Sequence, residues 1–418
     1  MNKKLKIFRR ISACFLAIAL LLTLPVQPVL AKDPADASPY SYEETDQESV
    51  HVVVTVSCDG IPIVGHDEDE TTLAHLDVNI PWFSLEPYGL TDFERYHTKD
   101  GTGAYIDDEL IRRPTLLHLY IYLLERYCMG LSEDECGQGR LQNGVTEADQ
   151  YGSVMNMKGE IAYEPTESTN KVLNITGSPT SLYMQLFWGH DENLMYYRNH
   201  VYPLMSKGWG ATADYILLSD DDSVDLAMFA NWNFWPTGAF LAFEHDSYTC
   251  TAGEALTGKT LKYDTSSVAD GGSESFEAAV DGSLQGYVVL GEDRMLTDQV
   301  FDAGEGGTWS VTFDKPGTYY IVGLDANAGT KAASCAPPTA KVTVKPVPML
   351  GDIDQNGTVT RRDASMVWNI ANGTRTVGDD IMKLADVNGD GQVDALDSAI
   401  IYGYVSGKIK EFPGKLTE

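Results

Sequence analysis

The sequence is poor in basic residues: 30 Lys and Arg stand against 61 Asp and Glu among 418 residues, for a formal net charge of -31. A chain this acidic repels nucleic acid and anionic lipid headgroups, so both are excluded as main partners. Its hydrophobic content of 43% and aromatic content of 10% still supply enough apolar material for packed cores. The length predicts two or three domains.

Familiar catalytic motifs are also missing. The sequence contains no G-x-S-x-G elbow, no H-E-x-x-H pair and no phosphate-binding glycine loop. Two acidic patches, residues 66–70 (HDEDE) and 190–192 (HDE), leave two interpretations open: exposed turns in an acidic protein, or the paired carboxyls of a glycoside hydrolase. Spacing in sequence does not decide between them, because such carboxyls have to lie about 5–10 Å apart in space.

Long apolar runs are absent except near the amino end. Residues 1–10 carry five basic side chains and no acid, residues 11–24 are apolar, and residues 29–31 give the small-residue pattern V-L-A. This order is typical of a cleaved secretory signal peptide, and two prolines after the apolar run disfavour the alternative of an uncleaved membrane anchor. We therefore expect a signal peptide over 1–31, a polar linker over 32–48, and a secreted, extracellular mature protein that has left the membrane.

Cysteines are few, and no C-x-x-C spacing predicts a zinc or redox site. Cys14 lies in the predicted signal peptide. The mature chain would keep the other five: Cys58, Cys128, Cys136, Cys250 and Cys335. An odd number cannot all pair within one chain; Cys128 with Cys136, and Cys250 with Cys335, are both permitted outside the cell, and the pairing stays open.

The body of the chain has two regions that differ in their predicted secondary structure. In residues 49–236, an alternating run at 50–56 predicts a strand and the leucine-rich segment 114–127 predicts a helix, which together indicate an α+β domain. In residues 237–346, short strands separated by Gly- and Asp-rich turns predict an all-β, immunoglobulin-like sandwich. Further strands are predicted at 171–175, 182–188, 194–199, 224–229, 239–243, 259–263, 286–290, 309–313, 319–324 and 340–346.

Aromatic residues crowd the end of the first of these domains. Such rings are often part of a core, but exposed Trp faces also stack on sugar rings. The run NWNFWP at 231–236 lies at the predicted domain junction. We therefore predict Trp232 and Trp235 as ligand-binding residues, with a polysaccharide as the ligand.

The carboxyl-terminal segment contains an internal repeat. Residues 352–363 (DIDQNGTVTRRD) and 386–397 (DVNGDGQVDALD) begin 34 residues apart. Each has oxygen-bearing side chains at loop positions 1, 3, 5 and 12 and a glycine at position 6, which suits the about six to eight oxygen ligands of calcium. The sequence predicts two Ca²⁺ ions. The predicted ligands are Asp352, Asp354, Asn356, Asp363 and the carbonyl of Thr358 in the first loop, and Asp386, Asn388, Asp390, Asp397 and the carbonyl of Gln392 in the second. Thr360 and Asp394, at loop position 9, are expected to act through water.

Position 12 is Asp in both loops, and the first copy lacks an entering helix. This pattern over residues 349–413 resembles the type I dockerin family. The resemblance implies a small all-α, calcium-folded module over 347–418 that binds a cohesin domain of a scaffold protein, as in cellulosomes. The residues after loop position 9 usually decide the cohesin partner; here they are Arg361 and Arg362 in the first copy, and Ala395 and Leu396 in the second. Because a basic pair stands opposite an apolar pair, we expect one preferred docking face.

Two further expectations concern the stability of this module. So small a segment buries little apolar surface and its carboxylates repel one another, so we expect it to fold only with calcium. Leu350 near its start and Phe412 near its end are expected to pack together and clasp its two ends.

Residues 50–229 resemble a second family, the transcobalamin-C-terminal-like domain of unknown function in exported bacterial proteins. The resemblance rests on the helix at 114–127 and on the segment 196–229 (YYRNHVYPLMSKGWGATADYILLSDDDSVDLAMF). It implies a helix packed on a sheet and fixes no catalytic residue. It favours a ligand-binding or adhesive module over a hydrolase.

Two main hypotheses for the whole chain follow. The first is a secreted, dockerin-bearing component of a cellulosome-like complex that acts in polysaccharide breakdown as a non-catalytic binding module. The alternative is a dockerin-bearing glycoside hydrolase that hydrolyses O-glycosyl bonds with an unrecognised catalytic domain. A surface adhesin assembled through the same cohesin contact is a third reading.

Overall fold

The computed structural model describes residues 45–95, 110–144, 152–164, 172–178, 181–191, 193–200, 212–231, 239–264, 276–278 and 284–416. The predicted signal peptide and most of the predicted linker lie outside these residues. No helix in the described part is long and apolar enough to cross a membrane. The described residues divide into two compact units: those within 45–247, 258–309 and 320–341 form the first, and those within 248–257, 310–319 and 342–416 form the second. The domain boundaries drawn from the sequence stay predictions.

The body is built mainly from β-strands. They are β1 Ser49–Cys58, β2 Ile61–Pro62, β3 Leu76–Pro81, β4 Val154–Met155, β5 Ile161–Tyr163, β6 Leu173–Ser178, β7 Ser181–Phe187, β8 His190–Asp191, β9 Leu194–Arg198, β10 Asp222–Met228, β11 Ala239–Phe243, β12 Ser247–Thr251, β13 Ala255–Asp264, β14 Phe276–Ala278, β15 Gly286–Leu290, β16 Leu296–Phe301, β17 Thr308–Thr312, β18 Gly317–Leu324, β19 Cys335–Ala336 and β20 Thr339–Lys345. Each strand segment predicted from the sequence is confirmed, several with shifted ends.

Helices are few in the described part of the body and concentrate near the carboxyl end. They are α1 Leu116–Leu123, which continues as the π-helical turn Leu124–Cys128, α2 Arg361–Ala371, α3 Asp379–Ala385 and α4 Ala395–Val405. Short 3₁₀ turns occur at Glu86–Tyr88, Thr91–Phe93, Glu133–Glu135 and Glu305–Gly307. The protein is therefore multidomain, with a mostly β body and a helical carboxyl-terminal region.

The first sheet has the order β2-β1-β10-β9, with β3 paired to β1 on the same sheet. Strands β1 and β10 run parallel, from Val52 opposite Asp222 to Cys58 opposite Met228. Every second residue of β1 from Val50 onward is buried, because one face of the strand packs on the core. This alternation is the pattern from which the strand was predicted.

Helix α1 packs into the same core. It begins at Leu116 instead of Pro114, and all eight of its residues are buried, so it has no solvent-facing side. The side chains of Thr115 and His118 join at its first turn, with 2.9 Å between Oγ1 and Nδ1. The Nε2 atom of His118 lies 2.9 Å from the carbonyl oxygen of Phe83, which ties the helix to the chain after β3. Its leucines therefore face core on every side, where the sequence predicted a single apolar face.

The remaining sheets are made of short strands. Two small sheets have the orders β4-β5 and β6-β7-β8. Two five-stranded sheets follow: one has the order β14-β13-β11-β19 with β17 on β13, and the other has the order β12-β20-β18-β15-β16. The all-β texture predicted for residues 237–346 is therefore present.

Within the first compact unit, residues after 284 pack directly on the first sheet. The guanidinium of Arg294 donates a hydrogen bond to the carbonyl oxygen of His75 at 3.0 Å and stacks over the ring of Tyr320 at 4.4 Å. The hydroxyls of Thr55 and Thr339 lie 2.9 Å apart in the interior. Segments that the sequence assigned to two domains thus share buried contacts.

Four of the described cysteines are free thiols in this fold. Cys58, Cys128, Cys136 and Cys250 form no disulfide, so neither of the pairings permitted by the sequence is present. Burial raises the pKa of Cys128 well above its ordinary value, which keeps this thiol protonated and unreactive.

Candidate metal centre

The first repeated loop brings three carboxylates together. Oxygen atoms of Asp352, Asp354 and Asp363 lie within 4.8 Å of one another, and this is the only such group of three among the residues described. Oδ1 of Asp354 is buried and has no hydrogen-bond partner. A buried carboxylate oxygen without a partner is costly unless a cation binds it. An oxygen-only set of this kind fits calcium, which Asp352, Asp354 and Asp363 would hold together with the loop's other oxygens.

Asp363, at loop position 12, closes the first loop on itself. Its Oδ1 accepts hydrogen bonds from the backbone N–H groups of Ile353 at 2.8 Å and Asp354 at 3.2 Å, and its Oδ2 accepts from Thr360. Burial pushes the pKa of Asp363 upward, but these hydrogen bonds outweigh it and the net pKa lies below the ordinary value. Asp363 is therefore held as a carboxylate at the centre of the loop.

Asp352, at position 1, is in the opposite situation. Burial raises the pKa of Asp352, backbone N–H groups of Gly357 and Asn356 lower it, and the charges of Asp363 and Asp354 raise it further. A bound dication would remove this penalty, because it neutralises the three neighbouring charges. The electrostatics of the loop thus fit the same cation as its geometry.

The outer turn of the first loop carries the remaining predicted ligands. Asn356 and Thr358 are exposed, and the side-chain oxygen of Asn356 accepts a hydrogen bond from the Thr358 N–H at 3.0 Å. Gly357 has φ +85°, the left-handed conformation that favours glycine. The sharp turn expected at loop position 6 is confirmed.

The second loop repeats this hydrogen-bond pattern 34 residues later. Asp386 accepts backbone N–H bonds from Asp390 at 3.2 Å and Gly391 at 2.9 Å. Asp397 is fully buried and accepts from the N–H groups of Asn388 and Asp394. Of the other predicted ligands, Asp390 and Gln392 are exposed, and the side-chain amide nitrogen of Asn388 donates to Oδ2 of Asp390 at 2.8 Å.

Each loop leads into a helix through a side-chain cap. Thr360 caps α2 by accepting the Arg362 N–H, and Asp394 caps α4 by accepting the Leu396 N–H at 2.7 Å. From the sequence, these two residues at loop position 9 were assigned only a water-mediated contact with calcium. The T-x-x-D and D-x-x-D spacings are capping-box patterns and were the available indication of the caps.

The two ends of this region are closed against each other. A Cβ on Gly351 would lie 2.8 Å from the ring of Phe412, and the Phe412 ring also packs on Tyr404 at 4.5 Å between centroids. Leu350 packs against the same apolar cluster. The backbone N–H of Gly414 donates to the carbonyl of Val387 at 2.8 Å. The two ends therefore meet through Phe412 and Gly351 and share one apolar cluster, while a direct contact between Leu350 and Phe412 stays a prediction.

Comparison with known families agrees with this geometry. The family described as dockerin type I domain matches residues 350–406. These residues form a type I dockerin domain. None of the curated proteins matches the chain.

Part of this chain is also similar to solved structures. Two complexes from Acetivibrio cellulolyticus, each of the third cohesin ScaC with the ScaB dockerin, are 34% identical to this chain. Each match covers 16% of this chain and 92% of that chain, with a TM-score of 0.15. One of those dockerins has a mutation in its carboxyl-terminal helix and the other in its amino-terminal helix, and both complexes display a type I interaction.

The exposed surface of the dockerin contains all four residues predicted to contact a partner. Arg361, Arg362, Ala395 and Leu396 are exposed at the starts of α2 and α4. The guanidinium of Arg361 lies over the ring of Tyr402 at 5.6 Å, and Nε of Arg362 lies 3.4 Å from a carboxylate oxygen of Asp354. All four residues are therefore open to a partner: Leu396 presents 55% of its surface to solvent and the side chain of Arg362 77%, although the basic pair also has contacts within the dockerin itself.

The candidate residues in the body fare differently. Asp67, in the acidic patch at 66–70, accepts hydrogen bonds from the N–H and hydroxyl of Thr71, at 3.0 and 2.7 Å, and closes a turn. Trp188, at the start of the aromatic-rich region, is buried in the core. Trp232 and Trp235 lie outside the described residues, so their predicted role in ligand binding stays a prediction.

Proposed function

We propose that this protein is an exported component of a cellulosome-type assembly and is attached to a scaffold cohesin through its dockerin. The observation that carries the proposal is the duplicated oxygen-lined loop, with a closed hydrogen-bond pattern in each copy, inside the residues that match the type I dockerin family. Two calcium ions, one in each loop, would fix α2 and α4 and so the surface presented to the cohesin. The segment 1–31 would direct export.

A binding measurement tests the attachment. Isothermal titration calorimetry of the full chain against a panel of purified type I cohesin domains should give a complex in the presence of calcium and none after chelation. Full calcium occupancy without binding to any cohesin in the panel would contradict the proposal. The variant Leu396→Asp tests whether this residue contacts the cohesin and should weaken the complex. The control Met382→Asp changes another exposed apolar residue of the dockerin and should not.

For the body, residues 49–346, we propose a non-catalytic role in binding polysaccharide, through an immunoglobulin-like sandwich over 237–346 and the aromatic run that precedes it. The hydrogen bonds that Asp67 accepts from Thr71 support the non-catalytic role, because they use this carboxylate to close a turn. Pull-down of the full chain on insoluble plant polysaccharides, with and without the double change Trp232→Ala and Trp235→Ala, tests binding. Release of soluble sugar that is abolished by changing a body carboxylate would establish the hydrolase alternative instead.

A further inference from the structure

A largely buried histidine lies between two carboxylates in the first compact unit. Nε2 of His200 lies 2.6 Å from Oδ1 of Asp246, which follows β11. On the other side of the ring, Nδ1 of His200 lies 3.9 Å from Oδ2 of Asp225 on β10. These three residues belong to none of the sites predicted from the sequence, and they are separate in the chain from the calcium loops.

The pair formed by His200 and Asp225 contains two polar atoms without a partner. Nδ1 of His200 and Oδ2 of Asp225 are both buried, and neither forms a hydrogen bond within the described structure. Buried polar atoms are normally satisfied. The same feature is found at Oδ1 of Asp354, a predicted ligand of the first calcium loop. A positive group between the two atoms would satisfy both of them.

The contact with Asp246 decides which nitrogen of His200 carries the hydrogen. A carboxylate oxygen accepts hydrogen bonds, so Nε2 is the donor at 2.6 Å. In the neutral ring, Nδ1 then has a free lone pair on the side of Asp225. A histidine that donates one N–H to a carboxylate and keeps the other nitrogen open has the usual arrangement of a metal ligand.

Ser223 adds a further unpartnered group on the same strand. It lies two residues before Asp225 on β10, so both side chains are on one face of the sheet. Only 8% of Ser223 is exposed, and its hydroxyl is buried without a hydrogen bond in the described structure. Among the described residues, three Asp, Glu, His or Cys ligand atoms come within 4.8 Å only in the first calcium loop, so the pair has no third ligand of that kind. A water held by the Ser223 hydroxyl would complete the coordination of an ion.

The charges around the pair favour a cation. Asp225 is buried and forms no ion pair with a lysine or an arginine of the described structure. Arg198 pairs with Asp222 at 2.8 Å, and Arg294 and Lys341 lie beside a carboxylate of β3. A buried carboxylate is costly without a counter-charge. The basic side chains of this region therefore leave Asp225 to another positive group.

The histidine ring is held in position by its neighbours. The side chain of Asn199, the preceding residue, accepts the backbone N–H of Ser223 at 3.1 Å, and its own N–H donates to the carbonyl of Ser223 at 2.8 Å. The ring of His200 stacks on that of Phe240, with 5.5 Å between centroids and 22° between planes. An ion would therefore meet ligands that are already oriented.

We propose that His200 and Asp225 bind a divalent transition metal of the zinc class, through Nδ1 and one carboxylate oxygen, with Asp246 orienting the histidine ring. The imidazole nitrogen favours such an ion over calcium, which prefers oxygen ligands. Nitrogen and oxygen ligands of tetrahedral zinc lie roughly 3.3–3.5 Å apart, so the two atoms have to approach each other by about half an ångström. In the metal-free protein, a proton on Nδ1 takes the place of the ion.

Titration of the full chain with zinc chloride tests the proposal. Isothermal calorimetry is done with calcium in excess, so that the dockerin loops are occupied, and one zinc ion per chain is expected. Zinc should also raise the melting temperature of the body, because it binds the folded state. No zinc binding, or zinc binding that disappears as calcium is raised, overturns the proposal.

Three variants and a matched control locate the ion. His200→Gln and Asp225→Asn should each weaken zinc binding by at least about 100-fold, and Asp246→Asn by about tenfold, as expected for two ligands and a residue that orients one of them. Asp225→Asn removes a buried charge, so the variant is expected to fold. The control His51→Gln changes an exposed pair of the same kind, with Nε2 at 3.7 Å from Oδ1 of Asp77, and should leave zinc binding unchanged. An equal loss in this control would show an adventitious surface ion only and would overturn the site.

Discussion

The hydroxyl of Ser398 donates a hydrogen bond to the backbone carbonyl of Ala364, and the two residues occupy the same position in the two copies of the repeat. The Oγ–O distance is 2.7 Å and the separation in sequence is 34 residues, the offset between the calcium loops. A bond between equivalent positions marks the axis that relates the two copies. Because this position is Ser in one copy and Ala in the other, only the second copy donates a side-chain hydrogen bond here, and the two copies are not equivalent.

This bond is a test of how the two copies are held together. Ser398→Ala should lower the free energy of unfolding of the calcium-loaded dockerin by about 1 kcal/mol, because a partly buried hydrogen bond is lost and a carbonyl loses its partner. Differential scanning calorimetry of the full chain with calcium measures it. The control Ser365→Ala removes an exposed hydroxyl that bonds only within its own helix, at 3.0 Å to Arg361. Equal shifts for both variants would contradict the assigned role.

Calcium occupancy should follow the two position-12 carboxylates. Calorimetric titration of the full chain is expected to show two calcium sites, and Asp363→Asn or Asp397→Asn should each weaken one of them by at least about 100-fold. Asp380→Asn, which removes an exposed carboxylate of α3 outside both loops, is the control and should leave both sites intact. Two unchanged sites in either loop variant would exclude that carboxylate as a ligand.

Removal of calcium should unfold the dockerin and leave the body folded. Without the ions, the buried carboxylates of Asp363 and Asp397 face neighbouring charges in a module with a small core. Hydrogen exchange of the full chain should show loss of amide protection in α2 and α4 after chelation, with strands β1 and β10 unchanged. Protection of both helices in the absence of calcium would show that the fold does not need the ions.

Docking on a cohesin should depend mainly on the second copy. Leu396 is an exposed apolar side chain, and Arg361 and Arg362, although also exposed, have contacts of their own with Tyr402 and Asp354. Leu396→Asp should weaken a cohesin complex by about 30-fold, as for an apolar contact at the centre of an interface, and the double change Arg361→Ala and Arg362→Ala by less than about threefold. Loss only when both faces are changed together would indicate two interchangeable faces instead.

The body should be more stable in mildly acidic solution than in alkaline solution. Nε2 of His200 lies 2.6 Å from Oδ1 of Asp246. Burial would lower the pKa of His200, but Asp246 and the more distant Asp225 outweigh it and raise the pKa. Burial also raises the pKa of Asp225 to about 7. Both groups hold a proton more tightly in the folded state, so the stability they supply at low pH is lost as pH rises through their folded pKa values.

This pH dependence is measurable by calorimetry of the full chain. The melting temperature of the body should fall between pH 6 and pH 8.5, on either side of the ordinary histidine pKa of about 6.5. His200→Gln should flatten the fall, with His51→Gln, which removes a half-exposed histidine of β1, as the control. A steeper fall of the melting temperature in the His200 variant would contradict a stabilising contribution of His200 at low pH.

Loop position 4 offers a matched pair of backbone tests. Gln355 has φ +52° and its equivalent, Gly389, has φ +75°. Gly389→Ala should destabilise the dockerin by about 1–2 kcal/mol, because a side chain is disfavoured there and its Cβ would lie 3.2 Å from Cα of Gly414. Gln355→Gly should be nearly neutral, since the relief of backbone strain offsets the extra freedom of the unfolded chain. Thermal unfolding of both variants with calcium distinguishes the two effects.

The calcium loops were predictable because their information is local. Ligand types, the position-6 glycine and the 34-residue offset all lie within short segments, and the structure brings the carboxylates of Asp352, Asp354 and Asp363 within 4.8 Å of one another. The capping roles of Thr360 and Asp394 could have been predicted from the same segments, but both residues were predicted to contact calcium through water instead. Short-range spacing was therefore sufficient for the dockerin.

The body was predictable only in part. Eleven of the strands were predicted and others were missed, among them β3 (LDVNIP), although every second residue of that strand is buried. Helix α1 was expected to have one apolar face, and its burial on all sides depends on the sheet and loops around it. The buried contact between the hydroxyls of Thr55 and Thr339 joins residues 284 positions apart, and no pattern along the chain brings them together. Non-local packing is what a single sequence does not reveal.

The close approach of Phe412 to Gly351 also has a mechanical consequence. Gly351 directly precedes Asp352, the first oxygen-bearing residue of the first loop, and its N–H is anchored to the carbonyl of Leu384 at 2.8 Å. When the dockerin is held by a partner and the rest of the chain is dragged by flow or by a moving cell, tension enters the module at this point. The Phe412 ring and the hydrogen bond from Gly351 to Leu384 then bear the force before the first calcium loop does. The dockerin therefore resists unfolding from the end that is linked to the rest of the chain.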